Sequence, residues 1–171
     1  ATLALMPAFD VACALLVVAG ALKLWAPAST RQSLALAGVR VSSSAVRLLG
    51  LAEIVLGAVA ALRPGALTAG LVALAYGGFL AFTIRLRRVA PDADCGCFGG
   101  AEAAVGPIHI ALNALACAIA LGAALAPPPA LSWIGHRSPL LAVSIAVGTA
   151  GAAYAAYVAF TLVPSAWKAY R

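Results

Sequence analysis

The sequence predicts an all-α, polytopic membrane protein, a four-helix core followed by a fifth transmembrane helix. Three observations lead there. The 171 residues are 64% hydrophobic and 9% charged, with a mean hydropathy of +1.05, outside the range of soluble domains. Five apolar runs recur, over about 6–26, 44–62, 65–84, 107–126 and 140–163, and each is long enough to cross a bilayer. The basic residues gather at the ends of these runs, as membrane topology signals do, so the net charge of +6 does not point to nucleic acid.

The first run carries Asp10 and Cys13 and ends in Lys23, Trp25 and Pro27. Lys23 and Trp25 fit an interfacial anchor. No basic leader segment or small-residue cleavage site accompanies the run, so a retained helix is expected. Residues 28–43 are less apolar and predict a connection holding at most a short interfacial helix, with Ser42, Ser43 and Ser44 as a cap for the next span. That second span carries Arg47 and Glu53 and stops at Arg63-Pro64-Gly65. Gly50, Glu53 and Gly57 share one helix face, where small residues let another helix come close. An ionisable group within a span is a functional candidate, and a buried ion pair or a hydrogen-bonded acid explains Glu53 equally well. The third span, with Tyr76 near its middle, leads into Arg85, Arg87 and Arg88.

The stretch from Asp92 to Gly100 breaks the apolar pattern with two carboxylates, Cys95-Gly96-Cys97, Phe98 and two glycines. Lipid-facing helix cannot carry that composition, so it belongs at a membrane surface or in a polar pocket between helices. A C-x-C disulfide closes a small strained ring, easier to reduce than a structural staple. Gly96 permits backbone angles that other residues resist. Asp92 and Asp94 place negative charge beside the sulfurs. The N-terminus of the helix opening near Gly106-Pro107 sets positive charge against it. Three readings stand at this point: an exchanging redox pair, an incidental loop, or a metal site formed by Cys95, Cys97 and His109.

His109, Asn113 and Cys117 follow at four-residue steps along the fourth span. They form a polar stripe that predicts either a wall beneath the two cysteines or interhelical hydrogen bonds. Pro127, Pro128 and Pro129 end that span, and 132–139 reads as a surface loop. In the fifth span, Gly148, Gly151 and the alanines around them suggest tight packing. The tail from Trp167 to Arg171 reads as an interfacial anchor. This divides the chain into a four-helix domain, 1–126, and an appendage, 127–171. Two of the eleven basic residues, Arg63 and Arg137, fall on the side opposite the cysteine loop. The positive-inside rule therefore puts the N-terminus outside and the loop at the cytoplasmic end.

The Cys95–Gly99 loop stands before a helix with Asn113 and after a span with Arg47, Gly50, Glu53 and Gly57. Over about residues 5–126 this arrangement resembles the MauE family of methylamine-utilisation membrane proteins, part of the wider DoxX-like group. The resemblance implies a redox-associated protein with Cys95 and Cys97 as the redox pair. It also implies a thioredoxin-like partner and a link to disulfide formation in a methylamine dehydrogenase subunit. Arg47 and Glu53 match the family's polar span. Two departures are His109 and Leu112 beside Asn113, where an Arg is expected, and the fifth span. A cytoplasmic loop also sits awkwardly with a partner that acts on exported proteins. By fold-level analogy alone, the bundle also resembles vitamin K epoxide reductase, whose pair is C-x-x-C and whose cofactor is a quinone.

The expected function is thiol–disulfide exchange through Cys95 and Cys97 in the membrane. His109 is the candidate proton carrier and Asn113 its orienting neighbour. Cys117, Cys13 or a quinone among the helices are candidates to take the electrons onward. The alternatives are a non-enzymatic assembly or anchor subunit of a larger complex, and a thiolate metal site.

Overall fold

The structure is a computed structural model that describes residues 2–96 and 104–161. Among the described residues seven helices follow in order: α1 (Thr2–Trp25), α2 (Pro27–Leu36), α3 (Ser43–Leu62), α4 (Ala66–Val89), α5 (Pro107–Leu125), α6 (Leu131–Arg137) and α7 (Pro139–Thr161). Five of them, α1, α3, α4, α5 and α7, are long and apolar enough to cross a membrane. The chain is an all-α polytopic bundle, as its hydropathy predicts. The tail from Trp167 to Arg171, like Cys97, lies outside the described residues.

Two tight helix pairs build the bundle. The first is α1 with α3. A Cβ on Gly50 would lie 2.6 Å from the Gly20 carbonyl oxygen, and one on Gly57 would lie 2.6 Å from that of Cys13. Numbers rise on one helix as they fall on the other, so the pair is antiparallel. The glycine face predicted on α3 is the face that meets α1. The second pair is α4 with α5. Phe9, Cys13, Leu16, Val72, Tyr76 and the small residues Ala116, Ala120 and Ala123 knit both pairs into one core. The Tyr76 hydroxyl donates to the Ala12 carbonyl at 2.6 Å, which satisfies a polar group that apolar surroundings would otherwise penalise.

Local chemistry sets several ends. Ser42 caps α3, its hydroxyl accepting from the Ala45 N–H at 3.1 Å. Pro107 opens α5 behind Gly106. The third span runs further than expected, to Val89 rather than 84, because Arg85, Arg87 and Arg88 continue the helix. Arginines are good helix formers and sit well against the negative C-terminal end. Residues 132–139 are a short helix and its end rather than a loop. Ala130 turns the chain out of the proline run, α6 forms to Arg137, and the Arg137 guanidinium lies 4.3 Å from the centre of the Trp133 ring one turn back.

The segment between α4 and α5 is pinned at its neck. The Val105 N–H donates to the Ala93 carbonyl at 2.9 Å, and Asp94 pairs with Ala104 in an isolated antiparallel bridge. Ala37, Leu86 and Val105 bury beneath the neck. Both α2 and the cysteine loop therefore sit at the same end of the bundle.

Candidate functional site

The site is built from α2. Thr30 and Ser33 stand three residues apart on one face of that helix and are 5% and 3% exposed. Thr30 donates to the Gly96 carbonyl at 2.6 Å, and Ser33 donates to the Asp94 carbonyl at 2.9 Å and to its own helix at Ser29 at 3.1 Å. Two side chains thus hold the carbonyls on either side of Cys95. Gly96 has φ +67°, a left-handed conformation that disfavours side chains. A Cβ there would also overlap the Ser33 hydroxyl and approach the Ser29 carbonyl to 3.1 Å. Only glycine fits this position. α2 is itself tied down, since the Arg85 Nε–H donates to the Ala37 carbonyl at 2.6 Å, the negative end of the helix.

Clamped in this way, Cys95 is 5% exposed and faces inward over a cavity of about 140 Å³ among α1, α2, α3 and α4, with Asn113 of α5 on its wall. Most of the lining is apolar. Leu15, Leu16 and Ala19 come from α1, and three aromatic rings, Tyr76, Phe79 and Phe82, come from α4. The polar contributors are Lys23, Thr30, Asn113 and Cys95 itself.

Lys23 is the main surprise. Expected at the lipid interface, it turns inward and is 3% exposed. Its Nζ lies 2.8 Å from Glu53 Oε2 and 5.2 Å from the centre of the Phe79 ring. Trp25, two residues on, is 91% exposed and retains the anchoring position. The reversal has a physical cause. Glu53 on α3 is buried, 3% exposed, and an unpaired carboxylate in hydrocarbon is costly. Gly20 and Gly50 bring the two backbones together beside it, within reach of a lysine one turn along. Glu53 Oε1 has no hydrogen-bond partner among the described residues, so within them the pair leaves one carboxylate oxygen unsatisfied.

The polar stripe on α5 faces inward and divides its tasks. His109 is 2% exposed, and its Nδ1 accepts from the Gly106 N–H at 3.1 Å. The imidazole thus caps its own helix, and this bond makes Nε2 the nitrogen that carries hydrogen. Asn113 donates to Thr83 Oγ1 at 3.4 Å and to the His109 backbone carbonyl at 2.9 Å. That second bond reaches the backbone of His109 one turn back. The Cys117 thiol donates to the Ala73 carbonyl at 3.4 Å. Cys117 and Cys13 belong to one core cluster that also holds Leu16, Tyr76 and Phe79 of the cavity wall, but neither cysteine lines the cavity itself. Arg47 is exposed and lines none of it.

Cys95 and Asn113 therefore share the cavity, Glu53 reaches it through Lys23, and His109, Cys117 and Arg47 do not line it. Among the described residues, no three His, Cys, Asp or Glu side chains gather as metal ligands. The set Cys95, Cys97 and His109 includes a residue outside them. Thr30, Ser33, Lys23 and the α4 aromatics were not legible as site residues. The one available signal was the polar pair Thr30 and Ser33, at helical spacing in the least apolar connection.

A family model described as methylamine utilisation protein MauE matches residues 2–126, from the start of α1 to the residue after α5. No curated protein and no solved structure matches the chain.

Proposed function

The chain belongs to the MauE family of methylamine utilisation proteins, and on that premise we propose that this multi-pass membrane protein exchanges thiols and disulfides through Cys95 and Cys97. The observation that carries the reading is the holding of Cys95. Two buried hydroxyls and an obligatory glycine fix its backbone, and the residue is turned toward a cavity. An incidental loop cysteine needs no such scaffold. In the reaction, a thiolate of a thioredoxin-like partner attacks the Cys95–Cys97 disulfide, and one sulfur leaves as a thiol. The partner's second thiolate then resolves the mixed disulfide. The partner is oxidised and the pair reduced, by two electrons. Residues 1–126 form the working unit in this proposal and 127–171 an added span. The loop end, with its excess of basic residues, faces the cytoplasm.

The test is alkylation in intact membranes. A membrane-impermeant thiol reagent is applied before and after mild reduction, and the labelled peptides are identified by mass spectrometry. The expected result is a Cys95–Cys97 disulfide that opens under mild reduction and labels from one face, which also reports sidedness. Thiols that stay reduced under mild oxidants overturn the redox reading, and metal analysis of the purified protein then comes next. Replacing Cys95 and Cys97 together with Ser is expected to abolish function. An assembly or anchor subunit would tolerate that change.

A further inference from the structure

We propose that Arg31, Arg40 and Arg47 form a binding site for the phosphate of an anionic phospholipid, at the corner where the chain passes from α2 to α3, with an acyl chain lying down the outer face of α3. No step of the redox reading enters it.

Shape and charge come first. Ala28, Arg31, Gln32 and Ala35 of α2, with Arg40 and Val41 of the connection to α3, line an open cavity of about 550 Å³, within the usual range of ligand pockets, about 300–1,000 Å³. The faces of α2 divide their tasks: Thr30 and Ser33 turn inward to hold the cysteine loop, and Arg31 is exposed on the outer side. No carboxylate lines this cavity. Among the described residues the one ion pair joins Lys23 to Glu53, so none of the three arginines is neutralised within them. Arg31 is also held in place. Its Nη1 donates to Ser43 Oγ at 3.2 Å, which sets the guanidinium beside the first turn of α3. That turn contains no acidic residue, and the positive end of a helix favours an anion. Arg47 follows Ser43 by four residues, one turn along the same face of α3. The planar fork of arginine suits the oxygens of a phosphate.

Depth in the membrane then separates a lipid from a soluble phosphate compound. Trp25, 91% exposed, ends α1 just before α2 begins at Pro27, and a tryptophan at the end of a span marks the headgroup level. Beyond Arg47 the surface of α3 becomes hydrocarbon. Leu51, Val55 and Val59 follow it at four-residue steps and are 49%, 53% and 43% exposed. From Arg47 to Val59 the helix rises about 18 Å, close to the depth of one leaflet in a hydrocarbon core about 30 Å thick. A soluble phosphate compound would use the arginines and leave this track bare. A zwitterionic phospholipid would use the track and set its own cation against three guanidiniums. An anionic phospholipid uses both.

The experiment uses the full chain in phosphatidylcholine vesicles, with a trace of phosphatidylglycerol that carries a photoactivatable group on one acyl chain as probe. Labelled peptides are mapped by mass spectrometry, and affinity is read from competition with unmodified phosphatidylglycerol. Labelling is expected on α3 around Leu51 and Val55. Arg31→Gln combined with Arg40→Gln is expected to weaken binding by about tenfold or more, and Arg47→Gln alone by several-fold. All three positions are exposed, and an unchanged helix signal verifies that the variants fold. Arg87→Gln combined with Arg88→Gln removes the same charge from the same end of the bundle, outside this cavity, and is expected to bind as the wild type does. Labels spread evenly over the spans, or equal losses in the two double variants, would reduce the effect to the general charge of that end and overturn the site. Competition by phosphatidylcholine as strong as that by phosphatidylglycerol would overturn the preference for an anion. Displacement by soluble glycerol phosphate at equal concentration would make the corner a site for a soluble phosphate compound and overturn the lipid.

Discussion

Helices α3 and α7 read alike as sequence and behave differently in the bundle. Both are apolar spans with two glycines near one another. On α3, Gly50 and Gly57 sit against carbonyl oxygens of α1, with 2.6 Å to an added Cβ. On α7, Gly148 and Gly151 meet nothing within 4 Å among the described residues, so the tight packing expected there is absent. Leu140, Val143, Val147 and Tyr154 of α7 are all more than half exposed. What separates the two helices is the residue between the glycines. Glu53 shares the small face of α3, and a buried carboxylate must find a partner, which pulls Lys23 and the whole of α1 onto that face. Between the α7 glycines stands Thr149, whose buried hydroxyl has no partner among the described residues, and no ionisable group. Small residues permit close approach, and an ionisable group on the same face demands it.

This contrast can be broken most forcefully at the ion pair. Glu53→Leu removes the carboxylate that buried Lys23 pairs with, and should destabilise the bundle by about 3–5 kcal/mol. The double change Lys23→Met with Glu53→Leu should recover most of that loss. Unfolding in mixed micelles, followed by helix signal, measures both. If the single and double variants lose equally, the pair is not what holds α1 on α3. Next in size is Gly57→Ala, which forces two backbones apart and should cost about 1–3 kcal/mol in the same assay. A third test moves the glycine question from packing to backbone angle. Gly96→Ala combines a left-handed φ with overlap on Ser33, and should cost about 1–2 kcal/mol. It should also release the loop, so that Cys95 is alkylated several-fold faster than in the wild type. Unchanged labelling would mean that Thr30 and Ser33 hold Cys95 without needing the glycine. The smallest effect belongs to α7. Gly148→Ala and Gly151→Ala should leave stability unchanged or raise it by up to about 1 kcal/mol, because alanine is the better helix former and has room. A loss there would reveal a helix partner for α7 in a larger assembly.

Much of the fold was legible because its causes are local. Hydropathy marks a span wherever twenty neighbouring residues agree, Ser42 caps the helix that begins beside it, and the period of 3.6 puts Gly50, Glu53 and Gly57 on one face. Local chemistry also exposed the cysteine loop as the place where the apolar pattern fails. Where the reading slipped, it weighed residues one at a time. Lys23 next to Trp25 looked like an anchor until its partner was known, and the arginines after Ile84 looked like the end of a helix that continues through them.

By itself, then, the sequence determined which segments are long and apolar enough to cross the membrane, where they are capped, and where the apolar pattern gives way to the cysteine loop. All of these depend on residues within a turn or two of each other. The tertiary structure alone decided that Lys23 pairs with Glu53, 30 residues on, and that Ser33 and Thr30 grip the backbone of the cysteine loop 61 and 66 residues away. In hydrocarbon, a buried polar group without a partner is costly, and which partner it finds depends on how helices distant in the chain come to lie side by side.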